Sequence, residues 1–347
     1  MLKTGLRTGG NEAAQLTLAA VVCLSALVFG AVPSRADDDL SLLKASYRRP
    51  AEIPFPADNP YTPEKAALGK SLFFDPRLSG HQNMNCASCH NPSFGWEVPL
   101  RGAVGSQNTT LPRKSPTVLN QAWSGPHFFW DGRADSLEDQ AKGPIQTPAE
   151  MNLPLSDAAS RLRRIPEYSK WFKIVFPQYG VTGDTIVAAL ATYERTVVSS
   201  YAPFDAWVDG DDNAISASAK RGFALFNGKA NCSSCHSGWN FSDGNFHDTG
   251  VGTSDMGRGA IDPLAMYAFK TPSLRSITQR APYMHDGSLA DLDAVMQRYI
   301  SVAVDGPPRS TDLQPVDLDS GETRDVIEFL KTLTGTKTTV SLPELPD

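Results

Sequence analysis

Cys86-Ala87-Ser88-Cys89-His90 sets two thiols and an imidazole at a spacing that returns as Cys232-Ser233-Ser234-Cys235-His236. This pattern reads as a covalent haem site of the c type, in which the cysteines form thioethers to the vinyl groups and the histidine sits beneath the iron. The competing readings are a redox-active Cys-x-x-Cys pair and half of a zinc site. A redox pair needs no adjoining histidine, and zinc takes four ligands in one small cluster rather than Cys-Cys-His triplets far apart in the chain. Two c-type haems are therefore expected, attached through Cys86 and Cys89 with His90 as ligand, and through Cys232 and Cys235 with His236. A chain of 347 residues has room for two domains of ordinary size.

The fifth cysteine, Cys23, lies in an apolar run from about Leu16 to Val32 that follows Lys3 and Arg7 and ends near Ser34-Arg35-Ala36. This reads as a signal peptide over 1–36 cleaved after Ala36, with an uncleaved membrane anchor as the alternative. Attachment of haem to Cys-x-x-Cys-His takes place outside the bacterial cytoplasmic membrane, so leader and motifs agree on a periplasmic address without stable membrane insertion. Loss of residues 1–36 moves the formal charge from −6 to −8. That balance argues against nucleic acid as a partner.

Residues 37–60 are polar and proline-bearing and read as a flexible start. Thr62-Pro63 opens a helix, with the threonine as cap and the proline at the first helical position. Gly69-Lys70-Ser71-Leu72-Phe73 precedes the first haem motif and Gly222-Phe223-Ala224-Leu225-Phe226 the second, which reads as an internal duplication. Helical spacing recurs over Leu155 to Phe176, broken at Pro166, and over Asp184 to Ser199. Ser288 to Asp291 reads as a capping box ahead of a helix with Leu292, Val295, Met296 and Tyr299 on one face. Ser320 to Leu333 is the last helix, ended by Gly335. The expected fold is mainly α: two cytochrome c-like domains, 37–212 and 213–347, each with one covalent haem, the last helix being free to pack on the first domain.

Around the two motifs stand Ser115-Pro116-Thr117-Val118-Leu119-Asn120, Phe129-Trp130-Asp131-Gly132-Arg133, Gln140 to Ile145, Pro148-Ala149-Glu150-Met151, Phe269-Lys270-Thr271-Pro272 and Ala281 to Gly287. In this order they resemble the bacterial di-haem cytochrome c peroxidase and MauG family, from about Pro60 to Gly335. The resemblance implies that peroxide meets the haem on His90 and that the haem on His236 transfers electrons. It also implies that Glu150 is the distal acid-base group, that Gln140 and Pro144 line the same pocket, and that Trp130 lies between the haems. Read alone, Glu150 would be a solvated acid at a helix start and Trp130 a core aromatic.

The chain departs from the usual peroxidase at several positions. Residues 91–114 lack the histidine that those enzymes place over the first iron, which implies an open iron at rest; His81 and His127 flank the interval as substitutes. Tyr299 stands where the peroxidases keep a methionine ligand to the second iron and MauG a tyrosine, with Met296 one turn earlier as the rival. A phenolate favours the storage of oxidising equivalents. MauG carries a surface tryptophan two residues before its second motif, where this chain has Ala230; Trp239 is the candidate substitute. His247 and His285 are read as hydrogen-bonding residues, not iron ligands. The resemblance further implies a calcium ion between the domains, for which Lys114 replaces an asparagine ligand. The remaining ligands would be carbonyls near Arg280 and Pro282, so calcium stays open, with an ammonium as its stand-in.

These readings converge on a periplasmic enzyme that uses hydrogen peroxide to oxidise a protein, either a small cytochrome or a protein whose side chains are the electron donors. The alternative is a non-enzymatic di-haem electron carrier.

Overall fold

The computed structural model describes residues 35–301, 310, 311, 313, 316–337 and 339–347. The apolar leader, with Cys23, lies outside them. Among the described residues the helices are α1 (Arg35–Ser46), α2 (Pro63–Phe74), α3 (Leu137–Gln146), α4 (Leu155–Arg163), α5 (Pro166–Val175), α6 (Gly183–Arg195), α7 (Pro203–Val208), α8 (Ala217–Asn227), α9 (Leu292–Ser301) and α10 (Ser320–Lys331). The named strands are two residues each, β1 (Phe246–His247) and β2 (Phe269–Lys270), paired antiparallel. The fold is mainly α, as expected. None of these helices is long and apolar enough to cross a membrane.

Thr62 caps α2 by accepting a hydrogen bond from the Lys65 amide, and Pro63 takes the first helical position. Leu68, Leu72 and Phe73 are then fully buried, and α2 lies along α6. The approach is closest at Gly69, where a Cβ would stand 1.9 Å from the Ala189 carbonyl oxygen and 2.8 Å from Tyr193 Cβ. The second half repeats this crossing. α8 lies along α10, and a Cβ on Gly222 would stand 1.9 Å from the Asp325 carbonyl oxygen and 2.8 Å from Phe329 Cβ. The glycine of each Gly-x-x-Leu-Phe repeat is therefore the point where two helices meet backbone to backbone. In both halves the motif's phenylalanine also meets the aromatic ring of the partner helix, Phe73 with Tyr193 at 5.4 Å and Phe226 with Phe329 at 5.1 Å.

Two hydrophobic cores result. The first is built on α2 to α6, the second on α7, α8 and α10 with Phe204, Phe223, Phe241 and Phe329 at its centre. Tyr47 also enters the second core, 2% exposed and packed against Phe204, Phe223 and Phe241.

Several local expectations change. The segment read as a flexible start begins with α1, because Leu43 and Tyr47, one helical turn apart, anchor it on the second core. The last helix, α10, packs on α8 of its own half, since it plays there the part that α6 plays in the first. Among the described residues the tail beyond it reaches the first core, through Val340. The cap of α9 is Asp291, whose Oδ1 accepts from the Ala294 amide at 2.8 Å, while the Ser288 amide is engaged by Asp286 and Leu289 bridges to Tyr283. α10 ends at Lys331 on Thr332, four residues short of Gly335.

The helix crossings predict the sign of a substitution. Alanine is the better helix former by about 1 kcal/mol, yet G69A and G222A are expected to lower the thermal unfolding midpoint of the holoprotein, by about 1–3 kcal/mol or more of overpacking. A raised midpoint in either variant would contradict the close approach.

Candidate haem centres and active site

Both haem motifs fold as the same single turn. Cys86–Ser88 and Cys232–Ser234 form 3-10 turns, and the amides of His90 and His236 each donate to the carbonyl of the first cysteine at 2.9 Å. One turn thus gathers two thiols and an imidazole on one side of the backbone. The four thiols are free and partly buried. Burial raises Cys89 to about 11, Cys232 to about 12, and Cys86 higher still.

Burial also lowers the pKa of both imidazoles, keeping them neutral. His236 Nδ1 lies 2.9 Å from the Phe241 carbonyl, and His90 Nδ1 3.4 Å from that of Trp96. A carbonyl only accepts, so Nδ1 carries the proton and Nε2 is left with its lone pair, the arrangement of a metal-ligating histidine. The residues present at both positions therefore fit a c-type haem.

A cavity of about 850 Å³ is lined by Cys86, Cys89 and His90 together with Gln140, Pro144, Glu150 and Trp130. Its size is at the upper end for small-molecule and cofactor pockets. Gln140 and Pro144 are four residues apart on α3 and so share its face. Glu150 follows in the turn after α3, fixed by main-chain bonds from its amide to Thr147 and from the Ser106 amide to its carbonyl. Burial raises the Glu150 carboxyl above the usual carboxylate range, against the opposing charge of Arg133. His81 is exposed and His127 faces Asp135 at 3.3 Å; neither lines the cavity.

Trp130 is held at both ends. Its Nε1 donates to the Lys114 carbonyl at 2.8 Å, and its own carbonyl accepts from the Lys270 amide on β2 at 2.8 Å. Its ring meets that of His285 edge-on at 6.5 Å, and His285 stacks on Phe269 at 3.6 Å. The main-chain carbonyl of His285 accepts from the Lys114 amide. His247 pairs instead with a side chain, Asp243, at 2.8 Å, within reach of Cys235. A thioether at Cys235 would take its thiol out of this trio and leave the His247–Asp243 ion pair beside the haem attachment.

At the second motif Tyr299 and Cys232 both pack, partly buried, against the second core, and burial pushes the Tyr299 phenol up to about 12. Met296 is 4% exposed within the second core. Trp239 packs edge-on against Trp123 at 4.9 Å, with the guanidinium groups of Arg49 and Arg275 each 5.5 Å from its ring. Two cations at that range oppose a positive hole on the indole, which favours a packing role for Trp239.

Two further ionisable residues line the cavity, to which the sequence assigned no role. Glu194 on α6 is 6% exposed, and burial raises its carboxyl to about 8. The available signal was an acid one turn after Leu190 on an otherwise apolar face. Lys270 is lowered to about 8 by burial and donates to the carbonyls of Ser124 and His127.

Known proteins place this architecture. Residues 63–213 match the family described as di-haem cytochrome c peroxidase, and residues 219–334 the family described as cytochrome c. The methylamine utilization protein MauG of Methylorubrum extorquens is 49% identical over 326 residues, covering 91% of this chain and 92% of that one. The protein of the same name from Methylophilus methylotrophus is 46% identical over 310 residues, covering 88% and 92%. The crystal structure of a MauG-like protein associated with microbial copper homeostasis shares the fold with a TM-score of 0.75 at 30% identity, over 82% of this chain and 94% of that one. Identity at this level over nearly the full length, on a scaffold that presents both haem-attachment turns, makes the chain an oxidoreductase of the di-haem cytochrome c peroxidase and MauG family.

Proposed function

We propose that this protein is a periplasmic enzyme that reduces hydrogen peroxide and draws the electrons from a protein partner, with that partner's own side chains as donors. The observation that carries the reading is the shared cavity of His90, Glu150, Gln140, Pro144 and Trp130. Cys86, Cys89 and His90 would hold one haem and Cys232, Cys235 and His236 the other; the first would supply an iron reactive toward peroxide and the second a store for an oxidising equivalent.

The protein's own task is proton handling, orientation and connection. Glu150 accepts a proton from one peroxide oxygen and returns it to the other as that oxygen leaves as water. Two electrons from the partner and two further protons complete the reduction to a second water. Gln140 and Pro144 shape the space in which peroxide is held. Trp130, pinned at its indole nitrogen and its carbonyl, bridges the two halves as the relay. Tyr299 would serve as the second ligand of the haem on His236, a reading supported by its place on α9, partly buried against the same core that Cys232 of the motif packs on. A phenolate there favours stored oxidising power over acceptance of electrons from a small cytochrome. The two relatives named for methylamine utilization support a protein partner in that process.

E150Q is expected to slow the reaction with peroxide about 100-fold or more while leaving both haems attached, followed by stopped-flow absorbance; an unchanged rate would remove Glu150 from the mechanism. In the wild type the rate is expected to fall on acidification through a one-proton transition lying above the ordinary glutamate range, because burial raises the carboxyl and only its ionised form accepts a proton. The transition should vanish in E150Q. In the resting ferric protein no sulfur-to-iron charge-transfer band is expected; such a band would replace Tyr299 with Met296.

A further inference from the structure

We infer that the Lys114 ammonium takes the place of a divalent cation at the junction of the two haem domains, so that the protein holds Trp130 in position without calcium. Lys114, Glu97 and Arg280 are 4%, 2% and 5% exposed. Lys114 Nζ forms an ion pair with Glu97 Oε2 at 2.8 Å and donates to the Val98 carbonyl at 2.9 Å. The other oxygen of the same carboxylate receives Arg280 Nε at 2.8 Å, and Arg280 Nη1 donates to the carbonyls of Ser273 and Arg275. Glu97 comes from the loop after the first haem motif and Arg280 from the second half, so the Glu97–Arg280 pair joins the two halves while Lys114 holds the same carboxylate from the first.

The backbone of Lys114 extends the clamp to the relay. Its amide donates to the His285 carbonyl and its carbonyl accepts the Trp130 indole N–H, both at 2.8 Å. The ammonium thus fixes the residue that fixes Trp130.

Calcium does not fit this arrangement. It takes six to eight oxygens from carboxylates, carbonyls and waters, whereas the Val98 carbonyl and Glu97 Oε2 already face the ammonium. A divalent ion added here would meet two buried cations and a single carboxylate, and such like charges repel strongly out of water. Among the described residues no set of three His, Cys, Asp or Glu ligands surrounds this point; the one such set is Cys235, Asp243 and His247.

The test uses the haem-loaded protein. Elemental analysis after purification without chelator is expected to find no stoichiometric calcium, and EGTA or added CaCl2 is expected to move the thermal unfolding midpoint by less than about 1 °C. K114M and K114N should each lower the midpoint by roughly 6 °C or more, because a buried carboxylate loses one of its cations. CaCl2 should raise the midpoint of K114N, which returns an oxygen ligand, and leave K114M unmoved. About one calcium per chain in the wild type, a wild-type midpoint that falls in EGTA, or a K114N protein indifferent to calcium would each overturn the inference. Calcium content and midpoint do not depend on reactivity with peroxide, so failure of the proposed enzymatic reading leaves this test intact.

Discussion

The architecture hangs on two places where helices press together with no side chain between them. At Gly69 against Ala189 and at Gly222 against Asp325 the backbones approach so closely that a single methyl group would overlap a carbonyl oxygen. The crossing sets where Phe73 meets Tyr193 and where Phe226 meets Phe329, and those aromatic contacts continue into the two cores. Each haem-attachment turn follows shortly after its crossing helix in sequence. A rigid, closely packed scaffold is what lets a short 3-10 turn present two thiols and an imidazole in fixed relation.

The two halves use one scaffold for two environments. In the first, α3 and the turn after it contribute Gln140, Pro144 and Glu150 to a cavity that also takes Glu194 and Lys270 from elsewhere in the fold. Burial moves the charged side chains Glu150, Glu194 and Lys270 toward their neutral forms, which is the condition under which a carboxyl can exchange protons near neutral pH. In the second half α9 brings Met296 into the core and Tyr299 against it, where Cys232 also packs. The difference between the halves therefore lies in what the inserted segments bring to a repeated frame.

Between the halves the polar groups are matched, not merely packed. Glu97, Lys114 and Arg280 form a buried ionic group spanning both, and the main chain at Lys114 holds Trp130 and His285. Breaking such a group leaves an unpaired charge out of water, a larger loss than removal of a surface ion pair. The geometry of the proposed relay is thereby tied to a local charge balance.

The haem motifs, the duplicated Gly-x-x-Leu-Phe approach, the capped start of α2 and the mainly helical character were all legible in the chain, because each depends on residues a few positions apart. The role of the two glycines was not, since the carbonyls they meet lie more than a hundred residues away. Glu194 was hidden for a related reason: a glutamate on a helix reads as a solvated charge until the neighbouring elements close over it. The cap of α9 and the start of the chain were misjudged by local signals alone, as Asp291 outcompeted Ser288 and Tyr47 found a core built from distant phenylalanines. By itself, the order of residues determined the chemistry available: four thiols and two imidazoles at haem spacing, and a set of polar side chains strung between them. Tertiary structure alone decided which of those side chains share a cavity and which neutralise one another, because burial and Coulomb interaction depend on separation in space and not along the chain.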